Sequence, residues 1–139
     1  QSQLTEKQLN SAHALVIRTL PNHSHKFSVI YSDESQPPFF TIEAMQWLAA
    51  SSIQHLLVDF PSLDKMYDEG HLTNHHLYWN LEANSHQLNP DAKLERTVTE
   101  MAFVPDNAVD GLYALNLQIP AFELDAAPSR PLLYPLKEI

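Results

Sequence analysis

The sequence predicts an α/β domain, and three observations predict it. Ala14–Thr19 (ALVIRT) and Ile53–Phe60 (IQHLLVDF) are apolar runs of strand length. Between them, Ile42, Met45, Leu48 and Ala49 recur at helical spacing. The second run is nearly continuous in apolar residues, the pattern of a strand buried on both faces. Strand, helix, strand in that order implies a crossover helix that buries its apolar face on the sheet.

The elements follow in order. Residues 1–12 (QSQLTEKQLNSA) are polar and helix-compatible. The first strand is closed by Leu20-Pro21-Asn22, and the polar stretch to Pro37-Pro38 reads as turns. Thr41 is placed to cap a helix over residues 42–51. After the second strand, Leu72–Trp79 predicts a short helix, and the polar stretch Asn80–Glu95 a surface loop. Thr97–Val104 (TVTEMAFV) is β-branched and strand-like, and Pro105-Asp106-Asn107 opens a turn before Gly111. Leu112–Ile119 (LYALNLQI) alternates Leu115, Leu117 and Ile119 with Asn116 and Gln118, and Leu132–Tyr134 is a last strand candidate.

Composition narrows the function classes. A chain of 139 residues with 44% apolar content and two glycines fits a single domain, 1–139, with a real core. A formal charge of −9 argues against a nucleic-acid partner, which needs a basic face. The absence of cysteine excludes disulfides and thiolate sites and fits a cytoplasmic setting. No apolar run approaches the roughly 20 residues of a membrane span, and no signal peptide is visible. A chain beginning at Gln1 fits a piece of a longer polypeptide.

Residues 55–100 hold the chemistry-bearing side chains. Glu100 lies in an apolar strand beside Met101, Ala102 and Phe103. It is either a solvent-facing strand residue or a buried carboxylate that must be protonated, paired or bound to metal. His75 and His76 are adjacent, so on a helix they point about 100° apart and cannot readily share one ion. Asp59 and Asp64 flank Phe60-Pro61-Ser62 at the end of the buried strand. Functional groups gather at such strand ends, although both aspartates also suit turn capping. Asp68-Glu69 reads as a solvated turn before Gly70, Asp125 and Arg130 as an ion pair pinning the tail, and Trp47 and Trp79 as core or interface residues. His13, His23, His25, His55, His71 and His86 lack ligand spacing, and such scatter does not fit metal storage.

The ordered series VDFPSLD, NHHLYWN, TEMAFVPD and GLYALNLQIPAFELDAAPSRP resembles the C-terminal half of the cyclase family of metal-dependent hydrolases, which includes kynurenine formamidase (arylformamidase). The similarity runs over roughly residues 14–136. It implies a swivelling β/β/α-type domain, present here in part, with a mixed sheet and flanking helices. It also implies hydrolysis of an amide, lactone or ester by water activated on zinc or manganese. By position the resemblance assigns two metal ligands, His75, with His76 as the alternative, and Glu100. The family's remaining ligands come from an H-x-G-T-H-x-D-x-P segment in the N-terminal half, and this chain has none. The interval from His75 to Glu100 exceeds that of the formamidases and points to another branch. The implied partners are the missing N-terminal half and a second copy in a homo-oligomer. The other reading of the residues is a non-catalytic binding or oligomerisation module, with Leu112–Ile119 and the Trp and Tyr side chains at its interface.

Overall fold

Three short strands, Ala14–Ile17 (β1), His55–Val58 (β2) and Thr97–Thr99 (β3), pair in parallel in the order β1-β2-β3. The structure, a computed structural model, describes residues 10–85 and 87–136. Helix α1, Ile42–Ala50, makes the crossover from β1 to β2, and helix α2, Thr73–Trp79, lies between β2 and β3. A separate antiparallel pair, β4 (Tyr113–Asn116) and β5 (Leu132–Pro135), follows. The architecture is therefore mixed α/β, as the hydrophobic periods predict. The parallel and antiparallel strands form two sheets and not one mixed sheet.

The strand register explains the core. Leu15 pairs with Leu56 and Ile17 with Val58, while Leu56 also pairs with Val98. Alternation puts these five side chains on one face. There they meet Met45 and Leu48 of α1 and Tyr78 of α2, together with Phe60 and Leu63 from the loop after β2. Leu56, Leu57 and Val58 are all buried, so the central strand is covered on both faces as its sequence predicts.

Caps and long-range polar contacts fix the helices. The Thr41 hydroxyl accepts from the Ala44 N–H, the predicted N-cap. Asn80 ends α2 in the left-handed conformation at φ 54°, where Asn is tolerated. Arg96 reaches both helix ends. Its guanidinium donates to the carbonyls of Tyr78 at 2.7 Å, Ala49 at 3.0 Å and Ser51 at 3.3 Å. Carbonyls at helix C-termini have no partner within the helix, and a cation suits the negative end of the dipole.

Several predicted boundaries contract. The first strand stops at Ile17 because the next loop is held elsewhere: the Thr19 N–H donates to Asp59. The third stops at Thr99 because Met101 turns into the left-handed region at φ 58°. Of Leu112–Ile119 only Tyr113–Asn116 pair in register with β5, and the Leu112 carbonyl accepts from the Leu136 N–H just outside them. Asp125 and Arg130 form no ion pair among the described residues. Their segment lies outside every helix and strand and both side chains face solvent, so nothing offsets the cost of ordering them. Trp47 is 54% exposed, on the face of α1 turned away from the core residues Met45 and Leu48, and is not a core residue. Residues 1–9 of the helix-compatible N-terminal stretch, and His86, lie outside the described residues; Asn10 and Ser11 are helical.

Candidate metal-binding site

The loop that follows β2 builds the site. Asp59, Phe60, Ser62, Leu63 and Asp64 leave the carboxyl end of the central strand, the usual place for functional groups in an open parallel sheet. From this loop Asp64 reaches across to α2. Helix α2 has no capping side chain of its own at Leu72. Asp64 supplies the cap instead, with Oδ1 accepting from the Asn74 N–H at 2.6 Å. Its Oδ2 meets the His75 ring at Nδ1, at 2.6 Å. The turn-capping role expected for Asp64 thus becomes a helix cap combined with a contact to an imidazole.

Glu100 arrives from the other side. The left-handed turn at Met101 interrupts β3 just after it, and the Met101 and Ala102 N–H groups donate back to the carbonyls of Phe60 and Val58. Glu100 Oε1 accepts from the Leu63 N–H at 3.0 Å and stands 3.3 Å from His75 Nε2. Of the two roles the sequence leaves open, the structure takes the paired one. Asp64, His75 and Glu100 therefore form a row, with the imidazole between two carboxylates.

His76 points elsewhere, its Nδ1 2.9 Å from the Glu82 carbonyl. The helical rotation expected between the two histidines separates them as predicted. Trp79, one turn along α2, lays its ring against His75 with centroids 5.3 Å apart and fixes itself by donating Nε1–H to the Arg96 carbonyl at 2.9 Å.

Charge in the row follows from its geometry. Burial alone would drive the His75 imidazolium down. The hydrogen bonds and charges of Asp64 and Glu100 outweigh it and hold the pKa at about 9. Burial likewise pushes the Asp64 carboxyl up. The His75 hydrogen bond, the Asn74 N–H and the imidazolium charge overcome it and leave the carboxyl below its usual 3.8.

His75 Nε2 and Glu100 Oε1 also have the separation of neighbouring ligands on one cation. Metal–nitrogen and metal–oxygen bonds of about 2.0–2.2 Å at a tetrahedral angle put the two donors a little over 3 Å apart. Asp64 on the far nitrogen matches the common habit of a ligating histidine, which gives its other N–H to a carboxylate. Among the described residues no group of three His, Asp or Glu side chains is arranged to hold one ion. Within the row, His75 Nε2 and Glu100 Oε1 are the two donors so spaced.

The remaining candidates are structural. Asp59 has a fully buried side chain and accepts from the Thr19 N–H and hydroxyl and from Lys26 Nζ at 2.6 Å. Lys26 also donates to the Thr19 carbonyl and Asn22 Oδ1. The network locks the loop after β1 onto the end of β2. Asp68 caps the Gly70 and Leu72 N–H groups. Neither Lys26 nor the helix-capping role of Asp64 is visible by spacing, because each partner lies in a different loop. No known family model matches the chain, and no curated protein matches it either. No helix among the described residues is long and apolar enough to cross a membrane.

Proposed function

We propose that the chain is the C-terminal portion of a metal-dependent hydrolase of the cyclase type, and that His75 and Glu100 are half of its metal cage. The observation that carries this reading is the 3.3 Å approach of His75 Nε2 to Glu100 Oε1, with Nδ1 of the same ring held by Asp64. The ordered motifs, the parallel sheet with helices and the strand-end position of the loop support a partial swivelling β/β/α-type domain. An imidazole and a carboxylate suit zinc or manganese. Such an ion, when bound, supplies a nucleophilic water near neutral pH and polarises the carbonyl of an amide, lactone or ester. This chain's own residues hold and orient. Glu100 is fixed by the Leu63 N–H, and the His75 ring is fixed between Asp64 and Trp79.

Two ligands bind an ion weakly, so the isolated chain is metal-poor and inactive on this reading. The remaining ligands belong to an N-terminal half carrying H-x-G-T-H-x-D-x-P. The test is turnover and metal content of the full-length parent beside its Glu100→Ala variant. Loss of both is expected, and unchanged turnover removes Glu100 from the site.

A second reading, a binding or oligomerisation module without chemistry, draws on the apolar surface. A cavity of about 730 Å³ lies between β1 and the β4–β5 pair, lined by Val16, Val104, Leu115, Leu117 and Leu133. Ile119, Phe122 and Leu124 are exposed beyond it. Apolar surface on this scale favours cover by another polypeptide, either the N-terminal half or a second copy. The coding sequence upstream of Gln1 separates the readings: the histidine-rich segment there supports the hydrolase, and a start codon there supports the module. Localisation in the cytoplasm is proposed on the absence of cysteine alone.

A further inference from the structure

The two contacts of the His75 ring are unequal. Asp64 Oδ2 lies 2.6 Å from Nδ1, whereas Glu100 Oε1 lies 3.3 Å from Nε2. Asp64 is nearly inaccessible, its side chain 4% exposed against 28% for Glu100. It is also immobilised, because Oδ1 accepts the Asn74 N–H at 2.6 Å and Oδ2 lies 3.4 Å from the His75 N–H. A neutral imidazole carries one proton, and that proton sits where the shorter bond to the more buried, better fixed carboxylate holds it.

We propose that Asp64 is the positioning residue of the site: it holds the neutral His75 ring in the Nδ1–H tautomer, so that the Nε2 lone pair faces Glu100 and is free to ligate a cation. The purpose of this arrangement rests on the metal reading above, but the arrangement itself does not need a metal to be present. Unconstrained neutral histidine prefers the opposite tautomer, with the proton on Nε2 and no lone pair there. Without Asp64 the ring would therefore have to change tautomer before binding. The same carboxylate caps α2, so one side chain sets both the position of the helix carrying His75 and the rotation and protonation of the ring.

The test is the nitrogen chemical shifts of the His75 ring in the metal-free chain, measured by long-range proton–nitrogen correlation at a pH high enough to leave the ring neutral. The unmodified chain should show the Nδ1–H tautomer. Asp64→Asn keeps a carbonyl oxygen for the Asn74 N–H but presents an amide NH₂ to Nδ1, so the ring should switch to the Nε2–H tautomer. Zinc, followed on the same resonances, should then bind about 10–100-fold more weakly in the variant. An Nε2–H tautomer in the unmodified chain overturns the proposal, and needs no variant to fold. So does Asp64→Asn with the tautomer and zinc affinity unchanged. The tautomer is read without metal, so its failure counts against Asp64 alone. Because two ligands hold an ion weakly, zinc is added in large excess; zinc that still leaves His75 unshifted in the unmodified chain counts against the metal reading instead.

Discussion

His75 Nε2 stands 3.3 Å from Glu100 Oε1, although one belongs to a helix and the other to the end of a strand on a different stretch of chain. Without a cation this contact is an ion pair, and its stability depends on the proton that His75 holds.

The folded chain keeps that proton to about pH 9, against 6.5 for an unperturbed histidine. A raised pKa contributes stability that is full below 6.5 and is lost as pH climbs through about 9. Asp64 behaves in the opposite sense. Its lowered pKa contributes stability present above 3.8 and lost as pH falls through the folded value. Urea denaturation of the metal-free chain should therefore show an alkaline decline between pH 6.5 and about 9, and His75→Gln should flatten it. An unchanged decline in the variant contradicts the pairing.

Lys26, from the loop after β1, pairs with the fully buried Asp59 carboxylate at the end of β2, 2.6 Å away. Removing one member strands the other, so Lys26→Met should cost about 3 kcal/mol. Adding Asp59→Asn to it should recover part of that loss, since the uncompensated charge is gone. Denaturation of the four proteins in the cycle measures this. A single-variant cost under about 1 kcal/mol would show that the ammonium is not needed there.

Arg96 joins the C-termini of both helices through three carbonyls. Arg96→Ala should lower stability by about 2 kcal/mol or more, because partly buried carbonyls lose a charged donor. Arg96→Lys should restore little, since one ammonium cannot span the fork. Equal stability of the Lys variant and the parent counts against this role.

Much of the fold was legible in the chain. Leu56, Leu57 and Val58 announced the buried central strand, and Thr41 with Met45 and Leu48 announced α1. Helical rotation was enough to separate His75 from His76. The strand ends were not legible, because they are set by partners distant in sequence: Asp59 draws off the Thr19 N–H, and a left-handed Met101 breaks β3 where local composition favours its continuation. Asp64 was legible as a turn-capping residue but not as the cap of α2 or the partner of His75. Those contacts arise only when α2 folds back over the loop after β2. Of the two places the sequence leaves open for Trp47, core or interface, its exposure on α1 removes only the core.

Met101 carries a side chain in a backbone region that L-residues enter at a cost of about 1–2 kcal/mol. Its side chain is exposed, so Met101→Gly loses little packing and should be neutral or stabilising by up to about 1 kcal/mol. Met101→Val, β-branched, should destabilise by more than about 1 kcal/mol. Thermal melts of the two variants that shift in the same direction contradict the backbone assignment and, with it, the turn that aims Glu100.

The most direct measurement is anomalous diffraction from the full-length parent crystallised with zinc or manganese. A metal peak is expected between His75 and Glu100, about 2.0–2.2 Å from Nε2 and from the carboxylate. A metal bound elsewhere, with His75 and Glu100 still bonded to each other, would contradict it.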